Sequence, residues 1–432
     1  MKTVVIGGGP AGIAAAYAAA EAGDEVLLLE KNEKLGKKLF ITGKGRCNVT
    51  NACDKDAFFE HVVSNPKFLY SAYSGFDNQA LMKLIEENGT ELKIERGDRV
   101  FPVSDHSYDI IDALKNALKK AGVKVRLNAQ VSDILTCRKE HAATAEDVSA
   151  PSSKNAKEKS VHTERMVQGV KLSSGEAIFA DKVVIATGGI SYPSTGSTGD
   201  GHRFAQKSGH RIVPLKPALV PFDTKEEWVT SLQGLSLKNV KLSLYVDDKL
   251  KYSEMGEMLF THFGISGPLV LTASSVLAGI DAYRKCEVFL DLKPALSDKE
   301  FDSRLIRELE NGNKKEIKNI LKNIYPLKLA AIACDITGID PYKKCNEINK
   351  EERKKLFSFT KNMKITVLGT RDFNEAIVTH GGVSVKDVNP KTMESKLVSG
   401  LYFAGEVLDV DAFTGGFNIQ IAFSTGMLAG KT

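Results

Sequence analysis

A glycine run, Gly7-Gly8-Gly9-Pro10-Ala11-Gly12, separates an apolar segment, Lys2 to Ile6, from an alanine-rich one, Ile13 to Ala22. A second apolar segment, Glu25 to Leu29, then ends at Glu30. This is G-x-G-x-x-G spacing inside a strand–helix–strand pattern, with an acid eighteen residues after the last glycine, and it suits a dinucleotide. Gly7 permits the tight turn, Gly9 lets a pyrophosphate approach the backbone, and Gly12 lets the helix pack closely on its strand. The helix start offers N–H groups and a partial positive charge to phosphates. Glu30 would accept hydrogen bonds from ribose hydroxyls.

Three more glycine-rich segments could share that site. In Thr42-Gly43-Lys44-Gly45-Arg46-Cys47-Asn48, Gly43 and Gly45 keep the backbone accessible, while Lys44 and Arg46 can neutralise a phosphate or an anionic ring. Cys47 reads as a small packed residue rather than a nucleophile. Ala186-Thr187-Gly188-Gly189 follows the apolar run Val183 to Ala186 and continues as Ser191 to Gly201. A buried strand that ends this way presents backbone N–H groups at the carboxyl edge of a sheet, where open α/β folds bind ligands. In the third segment, Phe403-Ala404-Gly405-Glu406 leads to Thr414-Gly415-Gly416-Phe417-Asn418-Ile419-Gln420, and Gly416 would start a final helix over Ile419 to Leu428. The positive end of that helix would favour negative charge at N1 and C2=O of a reduced flavin.

The elements that must hold these segments follow from periodicity. Asp105 to Ala121 carries Ile110, Ile111, Leu114, Ala117, Leu118 and Ala121 at helical spacing. Val123 to Leu135, Val167 to Leu172 and Ala177 to Ala186 read as strands. Arg138 to Arg165 has no aromatic residue and is rich in Ala, Ser, Lys, Glu and Thr, which predicts a mobile surface insertion between two hairpin strands. Short alternating segments from Leu235 to Leu292 predict a small antiparallel barrel. Ser297 to Lys361 is lysine-rich and helical, opened by the capping pair Ser297 and Glu300. The fold class is therefore α/β. A Rossmann-like parallel sheet is discontinuous (1–190 and 363–432) and brackets an inserted antiparallel β-barrel (191–296) and a small helical domain (297–362).

Composition limits the function classes. The chain has 432 residues, and 59 basic against 54 acidic ones leave a net charge of +5, mildly basic and close to balance. No stretch of 18 apolar residues is present, so no membrane span is expected. None of the six cysteines forms C-x-x-C, and none clusters with histidine at zinc spacing. Reduced thiols, a cytoplasmic location, no metal and no redox-active disulfide are expected. Oligomeric state is not set by these patterns.

The four glycine-rich strings, together with Phe260 to Pro268 (FTHFGISGP), give the chain a resemblance to the YhiN-like FAD-dependent flavoproteins over nearly its whole length. That family includes aminoacetone oxidase and a bile-acid-pathway reductase. The resemblance implies FAD contacts at Ala11, Glu30, Lys31, Arg46, Asn48, Val131, Thr187, Gly188, Glu406, Asn418 and Ile419. There is no second G-x-G-x-x-G after a strand, so NAD(P)H, if it is the electron donor, would visit the flavin transiently and leave before the substrate enters. Tyr192, His262 and His380 lie in the segments nearest the expected flavin ring and are the candidate proton donors. The expected activity is hydride transfer from NAD(P)H through FAD to a small electron-poor substrate, an enone; a 3-oxo-Δ4 steroid or bile acid follows from the resemblance alone. The alternative is an amine oxidase of the aminoacetone type using O2. A third reading, a nucleic-acid-binding flavoprotein using the Lys314 to Lys364 face, is disfavoured because Glu316, Glu347, Glu351 and Glu352 share that face, so nucleic acid is not expected as a partner.

Overall fold

The computed structural model describes residues 1–140 and 163–432. Residues 141–162, most of the expected 138–165 insertion, lie outside the described residues. The ends of that insertion are strand: Val131–Glu140 and Thr163–Leu172 pair antiparallel out to Glu140 and Thr163. The chain divides into two compact units, Met1–Lys216 with Val378–Thr432, and Pro217–Ile377.

The first unit is built on a five-stranded sheet in the order Leu401–Phe403, Lys182–Ile185, Lys2–Ile6, Glu25–Leu29, Lys124–Arg126. Every neighbouring pair is parallel. Its inner strands read as unbroken apolar runs because both faces are buried, as a parallel sheet covered by helices requires; Val5, Leu28, Val183, Val184, Ile185 and Phe403 are fully buried. One covering layer pairs helix Pro10–Glu21 with the C-terminal helix Phe417–Lys431. A Cβ at Gly426 would fall 2.3 Å from the Ala11 carbonyl oxygen, so this close approach tolerates only glycine there. Because all five strands run the same way, the segments after Ile6, Leu29, Ile185 and Phe403 leave the sheet at one edge.

The second unit holds a closed antiparallel barrel of six strands: Phe222–Thr224, Gly264–Ser266, Lys249–Phe260, Ser236–Val246, Cys286–Asp291 and Met363–Thr370. Its core collects Phe222, Leu242, Leu244, Phe260, Val288, Leu290 and Ile365. Helices Asp298–Asn311, Leu327–Thr337 and Lys350–Lys361 follow the fifth strand, and the Ser297–Glu300 capping box is present. The α/β architecture with a discontinuous parallel sheet and an inserted barrel is as expected, but the boundaries differ. Residues 191–216 group with the sheet unit, and strand Met363–Thr370 closes the barrel by pairing with both Cys286–Asp291 and Phe222–Thr224. Alternating hydrophobicity identifies a strand without naming its partners.

Candidate active site

The fingerprint turn has the geometry that its glycines suggest. Gly7 has φ +106°, and a Cβ there would fall 2.5 Å from the Ala186 carbonyl oxygen. A Cβ on Gly12 would fall 1.8 Å from the Gly7 carbonyl oxygen, whereas one on Gly9 would meet nothing within 4 Å. Gly9 is thus the open position. Helix Pro10–Glu21 begins with no side-chain cap, and its first intrahelical bond runs from Ile13 N–H to the Gly9 carbonyl at 2.9 Å. Its first-turn N–H groups therefore point into the turn.

Glu30 is buried and acts within the protein as an organiser of this turn. Oε2 accepts the Gly8 N–H at 2.6 Å, and Oε1 accepts both the backbone and side-chain N–H of Asn32 at 2.7 Å. Asn32 in turn donates to the Thr195 carbonyl at 3.1 Å. Lys31 reaches the same loop, donating to Thr198 Oγ1 at 2.6 Å and pairing with Asp200 at 2.7 Å. The Ser191–Gly201 segment is thereby fastened over the end of the second strand. Val131 is buried close by, where the Ala129 N–H bonds the Glu30 carbonyl at 2.9 Å.

Glu406, at the end of strand Leu401–Phe403, joins three segments. Oε2 pairs with Lys38 at 2.7 Å; Oε1 accepts the Ser191 hydroxyl at 2.8 Å and the Thr379 N–H at 2.9 Å. Burial alone would raise its pKa, but Lys38 and the two hydrogen bonds outweigh burial and hold it below the ordinary carboxylate value. Lys38 also donates to Ser191 Oγ at 2.7 Å, and the Thr379 hydroxyl accepts the N–H groups of Ile190 and Ser191. This network shapes the loop that contains Thr187 and Gly188.

The Thr42–Asn48 segment is bent by left-handed residues, Gly43, Lys44 and Cys47 among them. Lys44 is exposed. Arg46 stacks over Phe101 at 4.2 Å and shares its charge with Glu95 and Asp105. Burial pushes the Cys47 thiol up to about 12, consistent with a packed residue and not a nucleophile. Asn48 Oδ1 is buried with no hydrogen-bond partner among the described residues. The C-terminal helix starts at Gly416 (φ +101°), where a Cβ would fall 2.4 Å from the Thr50 carbonyl, again without a side-chain cap. The Asn418 amide grips the Ala412 backbone, accepting its N–H at 2.9 Å and donating to its carbonyl at 2.6 Å. What Asn418 and Ile419 have left to offer a ligand is first-turn N–H groups. A backbone cradle at Gly9 and two uncapped helix starts fit an anionic group such as a pyrophosphate, and the unpartnered Asn48 oxygen fits a hydrogen-bond donor on the bound molecule.

Of the three candidate proton donors, Tyr192 and His380 lie in the first unit and His262 in the second. His262 is exposed beside Phe263. Tyr192 is half-buried with φ +50°, a strained backbone for a non-glycine residue. His380 follows Thr379 directly, next to the Glu406 network. Its Nδ1 lies 3.1 Å from Asp411 Oδ1 and 3.3 Å from Ser64 Oγ. Both contacts use one ring nitrogen, so this is no Ser–His–Asp relay. Burial works against a charged ring, but the hydrogen bond and charge of Asp411, with Asp409 behind it, outweigh burial and hold the His380 pKa above the ordinary histidine value. Asp411, Lys38 and Thr379 escaped notice in the sequence, where each is a lone polar residue without a motif.

A family model described as "HI0933-like protein Rossmann domain" matches residues 1–432. The chain belongs to this family. It is an FAD-dependent oxidoreductase. Among similar proteins, the "3-dehydro-bile acid delta(4,6)-reductase" of Clostridium scindens is 29% identical over 99% of this chain and 97% of its own. The "Ribosomal RNA dihydrouridine synthase" of Haemophilus influenzae is 30% identical over 98% of this chain and 96% of its own. The Escherichia coli protein of the same description is 28% identical, over 98% and 95%. These near-equal similarities correct the expectation that nucleic acid is no partner: they give an RNA-acting relative the same standing as a bile-acid reductase. RNA was disfavoured because acids share the Lys314 to Lys364 face, but Glu316, Glu351 and Glu352 are engaged there by Lys318, Lys354 and Lys343 and leave other lysines of that face without an ion-pair partner among the described residues. Among the described residues, no helix is long and apolar enough to cross a membrane.

Proposed function

We propose that this protein reduces a carbon–carbon double bond conjugated with a carbonyl, taking its electrons from NAD(P)H. The observation that carries this reading is the His380–Asp411 pair beside the Glu406 network. Reducing such a bond delivers hydride to the carbon β to the carbonyl and a proton to the α carbon, so it needs an acid. Bound FAD would supply hydride exchange at N5. The Gly7–Gly12 turn, Glu30, Asn48 and the two helix starts would hold it. Asp411 fixes Nδ1 of His380 and stabilises the ring's positive charge, which leaves Nε2 to carry the proton to the α carbon. Amine oxidation would have to remove a proton instead, and a histidine biased toward its charged form is the wrong tool for that.

The relatives' names support the same chemistry. A 3-oxo-Δ4 bile acid and a uridine both contain a double bond conjugated with a carbonyl, C4=C5 with C3=O in the one and C5=C6 with C4=O in the other. With a single dinucleotide fingerprint, NAD(P)H and substrate would use the flavin in turn, so initial-rate plots should give parallel double-reciprocal lines.

The test is anaerobic. The yellow protein is bleached with NADH or NADPH and then mixed separately with a 3-oxo-Δ4 steroid, a uridine-containing RNA and O2. Return of colour faster with either unsaturated carbonyl than with O2 supports the reading. Rapid return with O2 alone, or no bleaching by either nicotinamide, refutes it.

A further inference from the structure

We propose that the face of the second unit built by residues 313–318 and 341–346 binds single-stranded RNA, and that the reducible carbonyl-conjugated bond is presented on such a strand. The second clause rests on the reaction proposed above; the first does not. The two segments lie side by side as a short antiparallel ladder. Ile317 N–H bonds the Lys343 carbonyl at 2.9 Å, Cys345 N–H the Lys315 carbonyl at 3.0 Å, and Asn346 N–H the Asn313 carbonyl at 3.1 Å. Ile317 and Cys345 are buried and anchor the ladder, while Lys314, Lys315, Lys344 and Tyr342 are exposed.

The chemistry of this face is specific. Tyr342 is 65% exposed, and Lys318 Nζ lies 3.7 Å from its ring centroid. Glu316 takes Lys318 at 3.1 Å and Glu352 takes Lys343 at 2.7 Å. Among the described residues, no ion pair engages Lys314, Lys315 or Lys344, so their charge is available to phosphates. Asn313, Cys345 and Asn346 continue into an open cleft of about 390 Å³ whose wall also includes Asn349, Lys350 and Arg353, one acid, Glu310, and an apolar floor of isoleucine and leucine. Lysines that track a backbone, an exposed ring for stacking and amides that can read base edges are the parts of a single-strand RNA site. An acidic peptide would satisfy the lysines but leave the ring and the asparagine amides of the cleft unused.

The test uses the flavin-loaded protein and a fluorescein-labelled, uridine-containing single-stranded RNA, followed by anisotropy across a salt series. The combined change Lys314→Glu, Lys315→Glu and Lys344→Glu should weaken binding at least ~10-fold and lower the slope of log K against log salt by about 2, for three lost phosphate contacts on a single strand. Tyr342→Ala should weaken binding roughly tenfold and Tyr342→Phe should preserve it, because either aromatic ring can stack. Flavin content and melting temperature report that each variant is folded. Unchanged affinity and slope in the triple variant, or no binding by the unaltered protein at low salt, would overturn the surface. RNA that binds in this way but fails to restore colour to the NAD(P)H-bleached protein would instead refute its role as the reaction's substrate.

Discussion

Asp411 Oδ1 lies 3.1 Å from Nδ1 of His380, while Oδ2 of the same carboxylate is buried without a hydrogen-bond partner among the described residues. The pair stands between the Glu406 network and the N-terminus of the C-terminal helix, to which Asn418 ties the adjoining Ala412. A buried carboxylate that engages a histidine through one oxygen keeps the ring oriented and favours its protonated form.

The pH dependence follows from the raised His380 pKa. The acid must be protonated, so substrate reduction should run fully at low pH and fall as pH rises through a value above the ordinary 6.5. His380→Gln should abolish that limb and slow this half-reaction on the order of 10²- to 10⁴-fold, while reduction by NAD(P)H is spared. Asp411→Asn should move the limb to lower pH. An unchanged limb in His380→Gln, measured by stopped flow, would remove His380 from the chemistry.

Glu30→Ala should weaken FAD binding roughly ten- to a hundredfold, from losing charge-assisted hydrogen bonds of about 1.5–3 kcal/mol. Because Glu30 also holds the Gly8 and Asn32 N–H groups, the turn itself should loosen. Retained flavin after dialysis, with unaltered melting, would contradict both roles.

The Glu406–Lys38 pair gives a stability signature. A carboxylate whose folded pKa is depressed contributes stability that is present above its ordinary 4.5 and is lost as pH falls through the folded value. Lys38→Met strands the charge and should cost about 1–3 kcal/mol at neutral pH. That deficit should shrink in acid, where Glu406 protonates, and a double variant with Glu406→Gln should recover part of it. Urea titrations at neutral and acidic pH check this; equal deficits at both would contradict it.

The contrast between Glu30 and Glu406 shows what a sequence can carry. The Gly7–Gly12 turn is legible because backbone approach demands glycine at fixed spacing, and Glu30 is legible because it ends the next strand. Glu406 stood out only as an acid after a strand; its partner Lys38 is 368 positions away and belongs to no motif. Arg46 shows the converse error of scope: its charge is visible in the sequence, but Glu95 and Asp105, which share it, are not. Met363–Thr370 shows the same limit: the sequence puts 363–432 with the parallel sheet, and only the pairing of this strand with Cys286–Asp291 and Phe222–Thr224 places it in the barrel.

Lys182 provides a test of the sheet itself. It is buried, donates to the Gly430 carbonyl at 2.9 Å, and burial pushes its pKa down to about 8. Between about 8 and the ordinary 10.5 the unfolded chain binds more protons than the folded one, so stability from this group should rise with pH across that window. Lys182→Met should flatten the rise in melting temperature between these limits, and an unaltered slope would contradict the assignment.

The most direct test of the reduction of a carbonyl-conjugated double bond is a single turnover without O2. Protein bleached with one equivalent of NADPH is mixed with one equivalent of a uridine-containing RNA or a 3-oxo-Δ4 steroid, and both the flavin colour and the product are measured. The expected result is that colour returns in step with saturation of the double bond, one product per flavin, with the carbonyl intact. Colour that returns without a saturated product, or only once O2 is admitted, would contradict the account.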